Sequence, residues 1–578
     1  MKVSRIGTVN KSVVATSRQS IPWHHINWRK ANRSVRRLQH RIVKAQQAGD
    51  HRKVRALQHL LTRSFSASAL AVKKVTENKG KRTPGVDQVL WRTNRQKSNA
   101  IQEVRRGQYK AKPLRRIYIP KQDGSQRNRP LSIPCMIDRA KQALYLMALD
   151  PLAEYYADKN SYGFRKYRSA MDAITACRMA LQRNHSAHWV LKADIKACFD
   201  QINHAWLLKW IPMDKSILAQ WLKAGYVEKR IWRECKAGTP QGGIISPTLM
   251  NLTLDGLELQ LKQQFKKVKV NVIRYADDFI VTGNSKALLE DKVKPQVEAF
   301  LNRRGLMLSE TKTQIIPITE GFNFLGFHIK RFKSGLIVEP SKQSVKNVKR
   351  NIKQTFKRNM QAETVVLIRK LTPITRGWGN YYRHTSGSKK VFSNIDHYTW
   401  QCSWSWAKRR HPNKGKKWVK KKYYRRTSRT KWGFHGTLPN KERIRLPYLF
   451  EIKRTLHIKI RHGKNPYDAE HAEYFEARRK KKDARGMIPK LMNHRLWEKQ
   501  RGICPLCGDI IDNQTGYHCH HVIHRCDMGE NHIDNLVLLH PTCHEQWHLR
   551  DNECCAGLSK KVFEKARAGC GKSRTHRS

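Results

Sequence analysis

Acidic residues are scarce in this chain of 578 residues. Asp and Glu number 44 against 116 Lys and Arg, and the formal net charge is +72. Such an excess of one sign repels itself unless a polyanion lies nearby, and nucleic acid is the polyanion that fits best. Between Asp396 and Glu442 the sequence contains no acidic residue at all. The composition therefore favours a nucleic-acid-binding protein.

Long apolar runs are also missing. No stretch of about 18 apolar residues occurs, which is the length that a membrane-spanning helix needs. The positive charge is spread along the chain rather than confined to one amphipathic helix, so an anionic membrane is the weaker candidate partner. Residues Met1 to Arg5 lack the apolar core of a secretory signal. We expect several domains, each with its own core, and no membrane partner.

Cysteine is rare in the first 500 residues and clustered afterwards. Eight of the 13 cysteines follow residue 500, close to histidines, which argues against a disulfide scaffold and for metal in a reducing compartment. Cys504 and Cys507 are followed 33 residues later by His540 and Cys543. Two such pairs form a four-ligand set suited to tetrahedral structural Zn²⁺.

Two adjacent carboxylates, Asp277 and Asp278, interrupt the apolar stretch 272–281. This pattern predicts a hairpin whose turn displays both side chains. A third carboxylate, Asp194, ends the strand-like run 189–195, and two strands side by side could bring all three together. Three acidic groups suit a pair of Mg²⁺ ions that clamp the attacking and leaving oxygens of phosphoryl transfer. The simpler alternatives are a solvated turn and an ordinary turn-forming aspartate.

A Gly- and Pro-dense turn, 238–247, lies between these two strands and leads into an apolar helical run. The order of Asp194, Pro240-Gln241-Gly242 and Tyr275-Ala276-Asp277-Asp278 resembles the palm of a reverse transcriptase. In the residues of these motifs the chain resembles the group II intron-encoded reverse transcriptase/maturase family, and the resemblance runs from roughly residue 25 to residue 550. Further matching segments are 83–87, 115–121, 129–134, 161–165, 321–327 and 376–382.

A second group of metal-binding residue types lies within the cysteine-rich segment and resembles the HNH (ββα-metal) nuclease motif. It comprises His520, His521, Asn535, His544 and His548. His544 and His548 are one helical turn apart and, with His520, can hold one divalent ion. His521 would then act as general base, oriented through Asn535, while the ion neutralises the scissile phosphate. The alternative is that these histidines complete a second zinc knuckle.

One position departs from the HNH pattern. The family usually has an acidic residue two positions before the His-His pair, whereas this chain has His518 there, followed by Cys519. We expect this change to shift metal preference or to lower nuclease activity.

The resemblance implies an α+β multidomain protein with a right-hand polymerase fold. Its parts are a leader and helical fingers extension (1–75), fingers (76–170), palm with the reverse transcriptase active site (171–335), helical thumb or maturase domain (336–430), basic DNA-binding region (431–495) and zinc-stapled HNH endonuclease (496–578). The apolar spacing of Val35, Leu38 and Ile42, then of Val54, Leu57, Leu61 and Phe65, predicts two helices in the first part.

The resemblance also implies the residues that contact the incoming dNTP. Lys121 and Arg129 belong to a basic hairpin that folds over the triphosphate, although a basic hairpin alone is more often a solvated surface, and the length of the loop leaves Arg127 as an alternative to Arg129. Phe199 corresponds to the side chain that crowds the sugar 2′ position. Gln241 corresponds to a residue that packs on nucleotide and template, and Lys312 to a lysine near the catalytic aspartates.

Two basic segments after the palm favour nucleic-acid contact. Val345, Val348, Ile352 and Phe356 form an apolar stripe on a helix whose other face carries only positive charge. Tryptophan and tyrosine alternate with Lys and Arg between residues 400 and 432, a composition typical of proteins that bind single strands or irregular RNA. Some of these aromatic residues must belong to the core.

We predict a multifunctional enzyme: an RNA-directed DNA polymerase, a maturase that stabilises intron RNA for splicing, and an Mg²⁺-dependent endonuclease that nicks target DNA for intron mobility. The predicted partners are group II intron RNA, target DNA and dNTPs, with a homodimer as a further option. The expected location is the bacterial cytoplasm, at the nucleoid when DNA is bound. The alternatives are a splicing-only maturase with weak or no nuclease activity and a freestanding endonuclease.

Overall fold

The structure, a computed structural model, describes residues 21–551 apart from 121–127, 184, 267, 428–429, 431, 439–442, 485–493, 513–514 and 523–531. Lys121 and Arg127 therefore lie outside the described residues. Within the described part of the chain, no helix is both long and apolar enough to cross a bilayer.

Four helices form the N-terminal part. They are α1 (Trp28–Gln47), α2 (His51–Arg63), α3 (Phe65–Glu77) and α4 (Asn94–Arg105). The predicted apolar faces of α1 and α2 are buried. The second predicted face includes one residue too many, because α2 ends at Arg63 and Phe65 is the first residue of α3. Asn27 and Asp50 cap α1 and α2 by accepting backbone N–H bonds, which fixes where each helix begins.

The next part contains a hairpin and two helices. They are β1 (Leu114–Pro120), β2 (Asn128–Ile133), α5 (Met136–Tyr156) and α6 (Ala170–Leu181). Strands β1 and β2 pair antiparallel, with Ile119 opposite Arg129. They join two short later strands, β4 (Tyr226–Glu228) and β5 (Ile231–Arg233), in a four-stranded sheet of order β2-β1-β4-β5.

The central part is built on a four-stranded antiparallel sheet of order β6-β7-β3-β8. Its elements are β3 (Trp189–Asp194), α7 (Cys198–Gln201), α8 (His204–Trp210), α9 (Lys215–Lys223), α10 (Ser246–Leu254), α11 (Leu257–Gln264), β6 (Asn271–Tyr275), β7 (Asp278–Gly283), α12 (Lys294–Asn302) and β8 (Gln314–Pro317). Side chains alternate between two apolar cores, so that Leu191 and Val281 lie in one and Val190 and Ile280 in the other.

A small sheet and a helical layer follow the central sheet. They are β9 (Phe322–Phe324), β10 (Phe327–Phe332), β11 (Gly335–Pro340), α13 (Lys342–Arg358), α14 (Thr364–Tyr382), α15 (Ser388–Arg410) and α16 (Lys416–Tyr423). Helix α13 buries Val348, Ile352 and Phe356, as the apolar stripe predicts. Val345 is only partly buried.

The basic aromatic segment is mostly core. Trp406, Tyr423 and Tyr424 are buried, and Trp400, Trp404 and Trp432 pack against one another and against Tyr424. Of the tryptophans in this segment, Trp418 is the exposed one. The aromatic side chains thus mainly hold α15 against a short sheet. That sheet and the next helix are β12 (Tyr424–Arg425), β13 (Gly433–Thr437), β14 (Arg443–Arg445) and α17 (Ala472–Ala484).

The C-terminal module contains two helices and a strand pair: α18 (His494–Lys499), β15 (His518–His521), β16 (Leu536–Leu539) and α19 (Pro541–Asp551). Its apolar residues, among them Leu496, Val537 and Trp547, belong to the same buried cluster as α1, α3 and α5. The two ends of the described chain therefore share one core.

Candidate functional site

The three predicted aspartates meet at the end of the central sheet. Asp194 is the last residue of β3 and lies directly opposite Asp278, the first residue of β7. Strands β6 and β7 are joined by a turn of two residues, Ala276 and Asp277, with Ala276 in the left-handed region at φ 59°. Side chains of directly opposed residues lie about 5 Å apart at Cβ, so the turn places Asp277 next to this pair.

Residues 161–165, one of the motifs found in the sequence, pack against the turn that carries Asp277. A Cβ on Gly163 would lie 2.4 Å from the Ala276 backbone nitrogen, so only glycine allows this approach. Tyr162 donates its N–H to the Arg274 carbonyl at 2.9 Å, and the buried guanidinium of Arg274 pairs with Asp255. The sequence singled out the motif but did not indicate that its role is to support the turn.

Desolvation and the repulsion between neighbouring carboxylates both raise the pKa values of Asp277 and Asp278. Desolvation, followed by the charges of Asp277 and Asp194, raises the pKa of Asp278 to about 6. The pKa of Asp277 is raised as well, by desolvation first and also by the charge of Asp194. Lys312 offsets part of this charge by donating from Nζ to Asp194 Oδ2 at 2.9 Å.

These carboxylates fit magnesium by their donor chemistry, because Mg²⁺ takes hard oxygen ligands and keeps several waters. Burial and, after it, the repulsion between these carboxylates raise the pKa values of Asp277 and Asp278, and a divalent cation would relieve that repulsion. Asp194, Asp277 and Asp278 are not among the sets of described residues whose donor atoms all lie within 4.8 Å of one another.

Two of the predicted nucleotide contacts, Arg129 and Phe199, lie on different elements, β2 and α7. Arg129 is exposed on β2 and is close enough to Asp277 for its charge to favour the ionised carboxylate, against the larger opposing effect of desolvation. Half-buried Phe199 lines a cavity of about 270 Å³ together with Arg116, Tyr226 and Pro240.

Gln241 joins the central part to the β1–β2 hairpin. Its side-chain Nε2 donates to Asp200 Oδ2 at 3.0 Å, and its carbonyl accepts from the Ser132 N–H at 2.7 Å. Gly242 has φ 116°, and a Cβ there would lie 2.6 Å from the Ser132 carbonyl oxygen. Sequence reasoning missed Asp200, whose only signal was its place in the segment shortly after Asp194.

The C-terminal module brings the four predicted zinc ligands together. Cys504, Cys507, His540 and Cys543 are buried, and their ligand atoms all lie within 4.8 Å of one another. Cys507 Sγ is 3.3 Å from His540 Nδ1, close to the roughly 3.5 Å that separates sulfur and nitrogen ligands on a tetrahedral zinc ion. His540 Nε2 lies 3.1 Å from the Ile510 carbonyl, which accepts its proton and leaves Nδ1 for the metal. The set fits Zn²⁺.

The second predicted cluster also forms. His520, His544 and His548 have their ligand nitrogens within 4.8 Å of one another, and Nε2 of His548 is 3.2 Å from Nε2 of His544. Three imidazoles can hold one divalent ion. The donor set contains no carboxylate, and imidazole suits Zn²⁺, Fe²⁺ or Ni²⁺ better than Mg²⁺. The residues therefore fit a transition metal better than the expected Mg²⁺.

His521 and Asn535 flank this cluster at one end of the β15–β16 pair, where the Val522 N–H donates to the Asn535 carbonyl at 2.8 Å. His518, the departure from the HNH pattern, lies at the other end. Its Nδ1 is 3.4 Å from Nδ1 of His544, so it contacts a metal-binding residue from behind. That is the place from which a carboxylate ordinarily orients a ligating imidazole.

Four family models match separate parts of the chain. They describe an N-terminal domain of reverse transcriptase (residues 23–104), a reverse transcriptase, or RNA-dependent DNA polymerase (119–329), a group II intron maturase-specific domain (345–424) and an HNH endonuclease (504–550). Protein YkfC of Escherichia coli is 32% identical over 317 residues, which cover 46% of this chain and 81% of YkfC. The chain belongs to the group II intron-encoded reverse transcriptase/maturase family.

The match to another relative of this reverse transcriptase/maturase covers a smaller share of that protein. The group II intron-encoded protein LtrA of Lactococcus lactis is 29% identical over 341 residues, 47% of this chain, and the match spans only 56% of LtrA. Among solved structures, telomerase from Candida albicans aligns with 54% of this chain and 64% of its own at 13% identity, with a TM-score of 0.30. A likeness that low supports no conclusion.

The predicted family is thus confirmed, and so is the presence of polymerase, maturase and HNH endonuclease domains on a mixed α and β multidomain fold. The domain boundaries, the role of each site residue and the homodimer remain predictions.

Proposed function

We propose that this reverse transcriptase/maturase copies RNA into DNA at Asp194, Asp277 and Asp278. The observation that carries the proposal is the direct opposition of Asp194 and Asp278 on adjacent strands, with Asp277 in the turn beside them. These three residues would hold two Mg²⁺ ions, which when bound lower the charge on the reacting phosphate and activate the primer 3′-hydroxyl.

The protein's own side chains would bind and orient the substrate. Arg129, together with Lys121, would pair with the triphosphate of the dNTP, and Lys312 would exchange its bond to Asp194 for a phosphate oxygen. Phe199, half-buried beside the aspartate strand, would close off the space at the sugar 2′ position. Gln241, fixed between Asp200 and the β2 backbone, would hold the nucleotide and template in register.

The maturase part would bind the intron RNA that is copied, and the nuclease part would produce the DNA 3′ end that primes synthesis. Helix α13 keeps its apolar side in the core and exposes Lys346, Arg350, Lys353 and Lys357, which suits a phosphate backbone. The intron RNA would bind there and to the N-terminal helices. The HNH centre would nick target DNA, with His521 as general base, and the new 3′ end would prime synthesis at the nucleoid.

The test of polymerisation uses Asp277→Asn, which keeps the shape of the side chain and removes its charge. We expect DNA synthesis on an RNA template to fall by about 10³-fold or more, because metal-bound charge stabilisation contributes several kcal/mol. The matched control is Asp291→Asn, an exposed aspartate outside the strands of the central sheet, which should leave synthesis unchanged. Near-normal synthesis by Asp277→Asn would remove the aspartates from the reaction.

The test of the RNA partner is purification of the protein with bound RNA, followed by sequencing. We expect a structured intron that carries this reading frame. The logarithmic salt slope of its binding should become shallower in Lys353→Gln and Lys357→Gln, by roughly 0.7–0.9 for each phosphate that the helix no longer neutralises. Lys286→Gln, an exposed lysine of the palm region, is the control and should leave the slope unchanged. An unaltered slope in the α13 variants would remove this helix from the RNA surface.

A further inference from the structure

A lysine from the N-terminal helices reaches the zinc-ligand set of the C-terminal module. Lys73 lies on α3, 470 residues from Cys543, and its Nζ is 3.5 Å from the Cys543 Sγ. Only 5% of Lys73 is exposed, and its ammonium also lies 4.9 Å from the centre of the Trp28 ring. No family model that matches the chain combines these two regions, since one ends at residue 104 and the other begins at 504.

The charge of the zinc site explains why a cation should be buried there. Three thiolates and a neutral imidazole around Zn²⁺ leave a net charge of −1. A buried charge is tolerated only when it is paired, and this holds for the zinc complex and for the ammonium alike. Glu77, one turn along, is the acidic residue of α3 itself. Across the interface, the group that the Lys73 ammonium reaches is the Cys543 sulfur of the zinc-ligand set.

Further contacts align the two regions around this pair. The Asn32 side chain donates to the Cys507 carbonyl at 3.3 Å, so the zinc-binding turn itself touches α1. Gln546, on α19, donates to the Trp23 carbonyl at 2.9 Å. The exposed ion pair between Arg36 and Asp509 contributes little by comparison.

We infer that Lys73 is the counter-charge of the zinc site and that docking of the C-terminal module onto the N-terminal helices depends on bound zinc. The inference rests on the zinc assignment and not on polymerase or nuclease activity. Bound zinc would hold Cys504, Cys507 and Cys543 together as one anionic group beside the buried ammonium. Without zinc that group is no longer fixed in place, and the ammonium lacks a fixed partner inside a closed interface. The module then separates from α1 and α3. With zinc bound, the nuclease histidines and the N-terminal helices move as one unit.

The experiment measures zinc and hydrogen exchange in the full-length protein. Elemental analysis first determines whether each chain carries one zinc at this set. Exchange of α3 and of β15–β16 is then followed before and after a chelator removes zinc, with the central strands β3 and β7 as internal reference. We expect chelation to increase exchange in α3 together with the C-terminal strands while β3 and β7 stay protected. Increased exchange in the C-terminal strands alone would overturn the inference.

Variants of Lys73 test the charge itself. In Lys73→Met we expect zinc to pass to a chelator about 10-fold or more faster, since groups behind metal ligands commonly affect affinity by that factor, and α3 to exchange faster even with zinc present. Lys73→Arg keeps the charge and should retain part of the zinc affinity. Lys74→Met, at the exposed neighbouring position, is the matched control and should behave as the unaltered protein.

The outcomes separate the two claims. A protein without zinc would overturn the zinc assignment and the inference with it. A protein that holds zinc equally well as Lys73→Met, with α3 still protected, would overturn the inference alone. The chelation experiment on the unaltered chain decides the matter if Lys73→Met does not fold.

Discussion

Lys312 and Asp194 form an ion pair, with 2.9 Å between Nζ and Oδ2, at the centre of the aspartate cluster. The hydrogen bond to Asp194 is the largest influence on the pKa of Lys312 and raises it. The charges of Asp194, Asp278 and Asp277 act in the same direction, against the opposing effect of desolvation. The lysine thus balances one of three carboxylates. In the proposed reaction Mg²⁺ at these carboxylates would take over this balancing role, and the ammonium would then be able to contact a triphosphate.

Lys312→Met should therefore weaken nucleotide binding more than catalysis. A hydrogen bond between charged groups contributes about 1.5–3 kcal/mol, so the KM for dNTP should rise about tenfold or more. Steady-state incorporation over a range of dNTP concentrations measures this. Lys286→Met, which removes an exposed pair with Glu290, is the control and should not change KM. An unchanged KM in Lys312→Met would show that this lysine serves only to balance Asp194.

The raised pKa of Asp278 predicts a pH-dependent metal requirement. Its carboxylate ionises at a pH of about 6 before metal binds, and only the ionised form binds Mg²⁺. Protons should thus compete with Mg²⁺ below that pH, and the Mg²⁺ concentration for half-maximal synthesis should rise as pH falls from about 7.5 to about 5. Magnesium titrations of the synthesis rate across this range measure it. A constant requirement would mean that Asp278 is not a ligand.

The raised pKa of Asp278 also makes the stability of the metal-free protein depend on pH. Because the folded-state pKa of Asp278 lies above its ordinary value, protonation stabilises the folded form. The metal-free protein should lose this contribution as pH rises from about 4 to about 6, and Mg²⁺ should restore stability above that range. Thermal unfolding with and without Mg²⁺ distinguishes the two conditions, and Asp278→Asn should abolish the dependence that this group causes.

Gly163→Ala should impair synthesis without touching any substrate-binding side chain. A Cβ at this position would meet the Ala276 nitrogen at 2.4 Å and displace the turn that carries Asp277. A displacement of about 1 Å in a catalytic group can cost 10²-fold in rate. Gly377→Ala, in helix α14 with nothing within 4 Å of the added carbon, should leave synthesis unchanged. Equal rates for both variants would contradict the supporting role of 161–165.

Local patterns predict those sites whose residues lie close together in the sequence. The hairpin around Asp277 follows from apolar strands that flank two acids. Both C-terminal clusters follow from pairs of ligands that are separated by two residues or lie one helical turn apart. The pairing of Asp194 with Asp278 could be foreseen because each ends or begins a strand. The right-hand arrangement of the parts came from the resemblance.

Other contacts between distant segments, which involve no strand ends, could not be foreseen. The bond from Gln241 to Asp200 and the approach of Lys73 to Cys543 join residues 41 and 470 positions apart, and no periodicity encodes such pairs. For the tryptophans after residue 400, composition alone does not distinguish surface positions from core positions. Their composition predicts that some rings contact nucleic acid and that others belong to the core, without indicating which. In the structure Trp406 is buried and Trp418 is exposed.

The position of His518 against His544 predicts how the nuclease should respond to mutation. His518→Ala removes the group that contacts Nδ1 of a metal-binding imidazole, so nicking should fall about 10–100-fold and metal affinity with it. His518→Asp, which introduces the acidic type usual in the family, should nick at least as well as the unaltered protein. His521→Ala should abolish nicking while the metal stays bound, because this residue lies outside the ligand set.

Nicking of a labelled DNA duplex by the intron ribonucleoprotein, with Zn²⁺, Ni²⁺, Mn²⁺ and Mg²⁺ supplied in turn, measures all three variants. DNA synthesis from a separately supplied primer on an RNA template is the internal control in the same preparations, since it does not need the nick and the aspartates lie in a separate part of the chain. The three-imidazole set should support nicking better with a transition metal than with Mg²⁺. Full nicking by His518→Ala with each metal would show that the contact with His544 has no orienting role, and a strict preference for Mg²⁺ would mean that a carboxylate outside this set completes the centre.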